Sequence, residues 1–351
     1  MRRAARHLGC GCSLLLLALA AAGRAEQAEL PPGVTLSDSP AESRLLAQWQ
    51  AGKTDGQWLF EAALAAGDAV DEVSRARYLR NWHHWLATLR QTTAVHAQRR
   101  QAEIVFEYLH RNVLRGGYQD DCTDLANTLA GGGYNCVGAT ILFNSLADAL
   151  GLSVHAIETP EHVYSVVATP AGPLEVEMTC RRWFEVIDDQ DKRRAAVEQT
   201  LGKPAPIQAS ARRLSPAALV ALIYYNAGVD ALADERFAEA ACQNLKALRL
   251  DPTNRLARGN LLATLNNWAL AHARRHEYSQ AVALLTYGRQ MDAEHAPFRS
   301  NLIALYQRWF DDLAARGQAA EAQAVLSRFR NELPGEELRR LGTGRDQQRP
   351  L

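Results

Sequence analysis

Apolar positions recur at spacings of three and four from about Arg44 to Leu114, alternate in short runs from Ser153 to Thr179, and return to the helical spacing beyond Leu214. The period of 3.6 predicts helices and the period of two predicts strands, so the order is helices, strands, helices. In "RQAEIVFEYLHRNVL" the residues Ile104, Val105, Tyr108, Leu109 and Val113 make one apolar helix face, which "RGGY" ends. The stretch "GGYNCVGATILFNSLADALGL", Gly132 to Leu152, predicts a second helix. Asn135 is its cap, Ile141, Leu142, Leu146, Ala149 and Leu150 are its buried face, and Gly151 is its C′ residue. The runs "SVHAIE", "HVYSVVA" and "LEVEMT" then predict consecutive strands joined at "TPE" and "TPAGP", and one helix followed by linked strands points to an α+β unit.

From Leu214 a repeat emerges. Ala240, Ala281 and Ala322 fall in register 41 residues apart, with Phe237 and Tyr278 three positions earlier and Ala319 at the equivalent place in the last unit. Gly228, Phe237, Ala240, Ala247 and Pro252 match the small, aromatic and proline positions of a tetratricopeptide repeat, although such repeats run to about 34 residues. The pattern predicts helical hairpins with lengthened helices; an ordinary helical bundle is the alternative.

The resulting organisation is 1–25 signal peptide, 26–43 linker, 44–96 helical N-terminal extension, 97–213 α+β domain, 214–333 helical repeats and 334–351 tail. The first assignment rests on Arg2, Arg3 and Arg6 before "SLLLLALAAAG", with small residues following, the order of a secretory signal. It predicts an exported chain, periplasmic or secreted after cleavage, with no membrane span in the mature chain.

Composition adds bounds. Lysine plus arginine and aspartate plus glutamate both number 39 and 47% of residues are hydrophobic, which favours a sizeable core and gives no net field to recruit nucleic acid. No zinc-type spacing occurs, and His83 and His84 in "RNWHHWLATL" read as helix surface and packing rather than a metal site, so neither cofactor nor metal is expected. In an oxidising compartment the cysteines left after cleavage are Cys122, Cys136, Cys180 and Cys242, and a Cys122–Cys180 disulfide becomes an expectation.

Candidate chemistry centres on Cys136. A helix N-terminus and a nearby imidazole stabilise a thiolate, and His162 with Glu175 or Glu177 offers a base and an acid. Taken alone, these residues favour the reading of Cys136 as a small buried core residue. For the acid, a type I turn at "TPAG" centres the hairpin between Pro170 and Ala171, which puts residue 179 opposite His162, Glu177 diagonal to it and Glu175 two steps further away.

The order "NCVGATILFNSLADALGL", "EHVYSVV", "VEMTCRRWFEV" resembles the transglutaminase-like superfamily over roughly 97–207. That resemblance implies a papain-type α+β fold with Cys136 as nucleophile, His162 as general base and Glu177 as orienting acid; glutamate stands where many relatives carry aspartate. It implies acyl transfer at amide bonds, as a peptidase or amidase. The chemistry then makes the Cys136 N–H an oxyanion donor, with the second donor unassigned and Tyr118 and Asn127 as its candidates. A cross-linking transferase using the same site and a non-catalytic protein-binding scaffold are the alternatives. In each, the helical repeats receive a protein or peptide partner.

Overall fold

The computed structural model describes residues 30–67, 70–160, 162–202 and 211–332; the signal peptide expected at 1–25 and the tail at 334–351 lie outside the described residues. Three helices come first: α1 (Pro40–Gln50), α2 (Gly56–Ala66) and α3 (Glu72–Thr93). Ser39 and Glu42 close α1 with a reciprocal capping box, and Asp55 and Asp71 cap the next two through the backbone N–H groups of Trp58 and Ser74. The helix start at Pro40 shortens the expected linker. What remains of it lies along the C-terminal helices, with Val34 buried among them and Arg249 donating to Asp38 at 2.6 and 2.8 Å.

Next come α4 (Gln98–Asn112), the short α5 (Leu125–Leu129) and α6 (Cys136–Ala149). Asn135 accepts from the N–H groups of Val137 and Gly138, and Gly151 ends α6 at φ +84°. Every residue from Val137 to Ala147 is buried, so α6 is not the one-faced helix its spacing predicts. It is the axis of the core, touching α2, α4 and the sheet, and a helix enclosed all round needs no polar face.

The sheet has four antiparallel strands in the order β3-β2-β1-β4, with β1 Val154–Thr159, β2 His162–Thr169, β3 Gly172–Val176 and β4 Arg212–Leu214. The β2–β3 ladder runs from Thr169 opposite Gly172 to Ser165 opposite Val176, centred between Pro170 and Ala171 as the turn residues predict. Helices α7 (Trp183–Val186) and α8 (Gln190–Leu201) intervene before β4.

This architecture corrects the fold class. The α+β transglutaminase-like, papain-type core expected over 97–213 is not what the chain shows; it is mainly helical, with one small sheet. The physical reason lies in strand length. Runs of eight residues or fewer make one narrow sheet, and the helices around α6 supply most of the buried apolar surface.

Six helices follow as three hairpins: α9 (Pro216–Ala233) with α10 (Phe237–Leu250), α11 (Arg255–Arg274) with α12 (Tyr278–Met291), and α13 (Ala296–Ala315) with α14 (Ala319–Glu332). Their turns carry left-handed residues at Glu235, His276 and Gly317, 41 positions apart like the buried Ala240, Ala281 and Ala322. A methyl on Gly228 would sit 2.5 Å from the Asn244 side chain, which accounts for the small residue where α9 meets α10.

The first hairpin shares the core of α6, whereas α11 to α14 build most of a second one. A buried network strengthens that join: Glu42 of α1 accepts from Lys246 at 2.7 Å and from Tyr224 Oη at 2.6 Å. Helix α9 is long and apolar enough to cross a membrane by length and composition, but 56% of it is buried inside the protein, which explains that composition by packing.

Candidate functional site

Cys136 is the first residue of α6, where backbone N–H groups leave a partial positive charge. The glycine run before it allows a close approach: a side chain on Gly116 would collide with the Gly132 carbonyl at 1.9 Å, and the strand-like bridge between Tyr118 and Tyr134 depends on that contact distance. Asn135 is fixed in turn, its amide donating to Thr123 Oγ1 at 2.6 Å. Asn226 of α9 donates to the same hydroxyl at 3.0 Å, so the third element of the site is a helix from the first hairpin.

His162 opens β2 and is 6% exposed. Its Nε2 lies 2.6 Å from Glu177 Oε2, and Glu177 follows directly after β3. The other carboxylate oxygen accepts from the Thr179 N–H at 3.0 Å and from the Thr179 hydroxyl at 2.6 Å. Glu175 is directed elsewhere, to Arg193 at 3.1 Å. Thr179 is a site residue that the sequence marks only by its place opposite His162, and its position two residues after the acid in "EMT" suits a local side-chain-to-backbone turn.

Burial would push the His162 imidazole down, but the Glu177 charge, the adjacent Cys136 thiol and the hydrogen bond to Glu177 outweigh it and push it up to about 10. Burial would raise Glu177, and the imidazolium with the two Thr179 donors holds it below the usual carboxylate range instead. Nδ1 of His162 is buried and makes no hydrogen bond of ordinary geometry. Cys136 and this ring line one cleft of about 250 Å³. A second cavity of about 260 Å³ lies on the Glu177 side, bordered by Tyr164, Trp183 and Arg193. His110, a second buried histidine nearby, is pushed down to about 4 by burial, with Arg181 adding to the effect. It stays neutral and does not compete for Glu177.

The cysteine pairing expected for Cys122 and Cys180 is corrected: both are free, with Cys122 donating to Gln119 at 3.0 Å and Cys180 buried. Of the two oxyanion donors considered, Asn127 is turned toward Cys122, at 3.9 Å, and Tyr118 donates its hydroxyl to Asp120. The Asn135 side chain occupies the N–H groups of Val137 and Gly138 and not that of Cys136, which faces the start of the helix. His83 sits edge-on to Trp82 on α3. Among the described residues no group of three histidine, cysteine, aspartate or glutamate side chains is placed to hold a metal ion. No family model matches the sequence, and neither a curated protein nor a solved structure matches it.

Thr179 is expected to position the acid. Thr179→Val removes one of two donors to Oε1 while keeping the backbone one, and a hydrogen bond to a charged group is worth about 1.5–3 kcal/mol. Turnover of any acyl-transfer reaction should fall roughly tenfold or more with KM unchanged, and Thr179→Ser should restore it. Loss of turnover in the serine variant as well would mean that Thr179 serves packing alone.

Proposed function

We propose that this chain is a thiol-dependent acyl-transfer enzyme acting on amide bonds, a peptidase or amidase, with Cys136 as nucleophile, His162 as base and Glu177 as the acid that orients it. The single observation that carries the reading is the buried His162–Glu177 pair at 2.6 Å, set beside a cysteine at a helix N-terminus in a shared cleft. Such a pair has no evident structural need. Buried ion pairs add little net stability compared with apolar side chains, whereas an oriented imidazole beside a thiol is what acyl transfer requires.

In the proposed reaction the proton of the Cys136 thiol already rests on Nδ1 of His162, whose affinity for it is raised by Glu177, and the thiolate of this ion pair attacks the amide carbonyl. The carbonyl oxygen becomes an oxyanion facing the Cys136 N–H. Collapse breaks the carbon–nitrogen bond, the amine leaves with the proton from His162, and a thioester remains. Water, deprotonated by His162, then releases the acid and the thiol. Glu177, held by Thr179, keeps the ring in one orientation through both steps. The helical hairpins offer a protein or peptide partner a surface beyond the cleft, and the N-terminal sequence supports export.

The test is reactivity. Cys122, Cys180 and Cys242 are all pushed up by burial, and Asp121 adds to the effect at Cys122. With iodoacetamide near neutral pH and modification sites mapped by mass, Cys136 should be alkylated at least tenfold faster than the other three. Equal rates at all four would favour a non-catalytic scaffold.

A further inference from the structure

The cleft that holds the Cys136 thiol is walled by parts of the chain that are distant in sequence. Asp120 and Asp121 come from the loop between α4 and α5, Glu158 from β1, Asp230 with Val229 from α9, and Leu256 from α11. Four carboxylates therefore border a space of about 250 Å³, and among the described residues no lysine or arginine lines it. Over the whole chain positive and negative side chains balance at 39 each, so the negative field here is local.

The four are not equivalent. Glu158 is neutralised by Arg212 at 2.6 Å, and Asp120 accepts the Tyr118 hydroxyl. Asp121 and Asp230 form no salt bridge with the described residues, and they repel one another. Both line the same cleft, and the Asp230 carboxyl is raised by burial first and by the Asp121 charge second, against the opposing pull of Arg236. Both are exposed to solvent, and like charges on the walls of one cleft favour a cation between them and repel an anion.

Two further observations point to a ligand. Val229 is 38% and Leu256 46% exposed, two of the five large apolar side chains left open among the described residues, and both are at this cleft. His162 presents Nδ1, buried and unpartnered, on the same side as Cys136. A lysine or arginine side chain fits this combination, since its aliphatic stem lies on apolar surface while its head seeks carboxylates. Asp or Glu at the same place would meet Asp121 and Asp230 and be rejected, which is specificity by repulsion.

We propose that the cleft selects cationic peptides: the acyl-donating substrate carries a lysine or arginine next to the scissile amide, its charged head between Asp121 and Asp230 and its stem against Val229 and Leu256. The proposal rests on the acyl-transfer reading for the word substrate, and on the cleft alone for the charge preference.

Binding separates the two. Fluorescein-labelled hexapeptides Gly-Ala-Lys-Ala-Lys-Gly and Gly-Ala-Glu-Ala-Glu-Gly would be titrated by anisotropy into the full chain carrying Cys136→Ser, at about 50 and 300 mM salt, where screening differs strongly. The lysine peptide should bind at least tenfold more tightly, lose much of that advantage at the higher salt, and lose severalfold in affinity with Asp121→Asn and again with Asp230→Asn. Equal binding of both peptides overturns the proposal, and so does a preference that survives in the double asparagine variant. The salt series on the chain with both aspartates intact decides the matter even where an asparagine variant fails to fold. Absent Cys136 labelling with the charge preference intact would remove the enzymatic reading and leave a cation-selective cleft; labelling without preference would do the reverse.

Discussion

Cys136→Ala should lower acyl transfer by a factor on the order of 10⁶, by comparison with removal of the nucleophile from other triads. The expected cost in stability is small. Cys136 is only half-buried, at the start of α6, and the capping bonds from Val137 and Gly138 run to the Asn135 side chain rather than to residue 136. Surface and boundary substitutions away from special features stay within about 0.5 kcal/mol, so the melting temperature should move by a few degrees at most. Hydrolysis would be followed on a lysine-containing amide, with and without an added primary amine, so that loss of both hydrolysis and amine transfer is read together. Retained turnover in a folded Cys136→Ala chain would exclude the thiol as nucleophile, and unfolding without any prior activity would restore the reading of Cys136 as a core residue.

What the sequence made legible is uneven, and the reasons are physical. Local rules succeeded where neighbours in the chain decide the outcome. The cap at Asn135, the stop at Gly151 and the hairpin centre between Pro170 and Ala171 follow from side chains acting on their own backbone. The 41-residue period of the hairpins survived because Ala240, Ala281 and Ala322 are each buried at the same place in their hairpins. Fold class failed for the opposite reason. Short alternating runs announce strands without saying how many others join them, and β4, only Arg212–Leu214, is too brief to show any period. The wall of the cleft was illegible too, because Asn226 and Asp230 lie 90 and 94 residues from Cys136 and belong to a helix that reads as the start of the repeat. Their place beside the thiol exists only after α9 enters the core around α6.

That core also alters what removal of the hairpins would do. Leu219, Ile223 and Tyr224 of α9 are buried with α6, and Glu42, Tyr224 and Lys246 form one buried network. A chain cut before Leu214 would strip this cover from α2 and α6 and expose apolar side chains such as Leu59 and Leu142, so the cut should destabilise the part that carries the site.

The sharper consequence concerns the glutamates. Glu177→Gln should lower turnover by about 10⁴, by analogy with a triad acid changed to its amide, whereas Glu175→Gln should leave turnover within about threefold, since a partly exposed pair such as Glu175–Arg193 is worth about 0–1 kcal/mol. Stability against pH gives a second, independent reading of the same pair. In the unaltered chain His162 is raised above its ordinary value of 6.5, so its stabilisation is complete below pH 6.5 and is lost as pH rises toward about 10. Glu177 is lowered below 4.5, so its stabilisation is present above that value and is lost as pH falls through the lowered one. The chain should therefore melt higher at pH 5.5 than at pH 9. With glutamine at 177 the countercharge is gone and burial, the largest influence on His162, disfavours the imidazolium. Stability should then be lost as pH drops below 6.5, and the slope between pH 5 and 7 changes sign. Parallel melting curves for the two chains across that range, or a larger loss of turnover from Glu175→Gln than from Glu177→Gln, would mean that Glu177 does not hold the charge of His162.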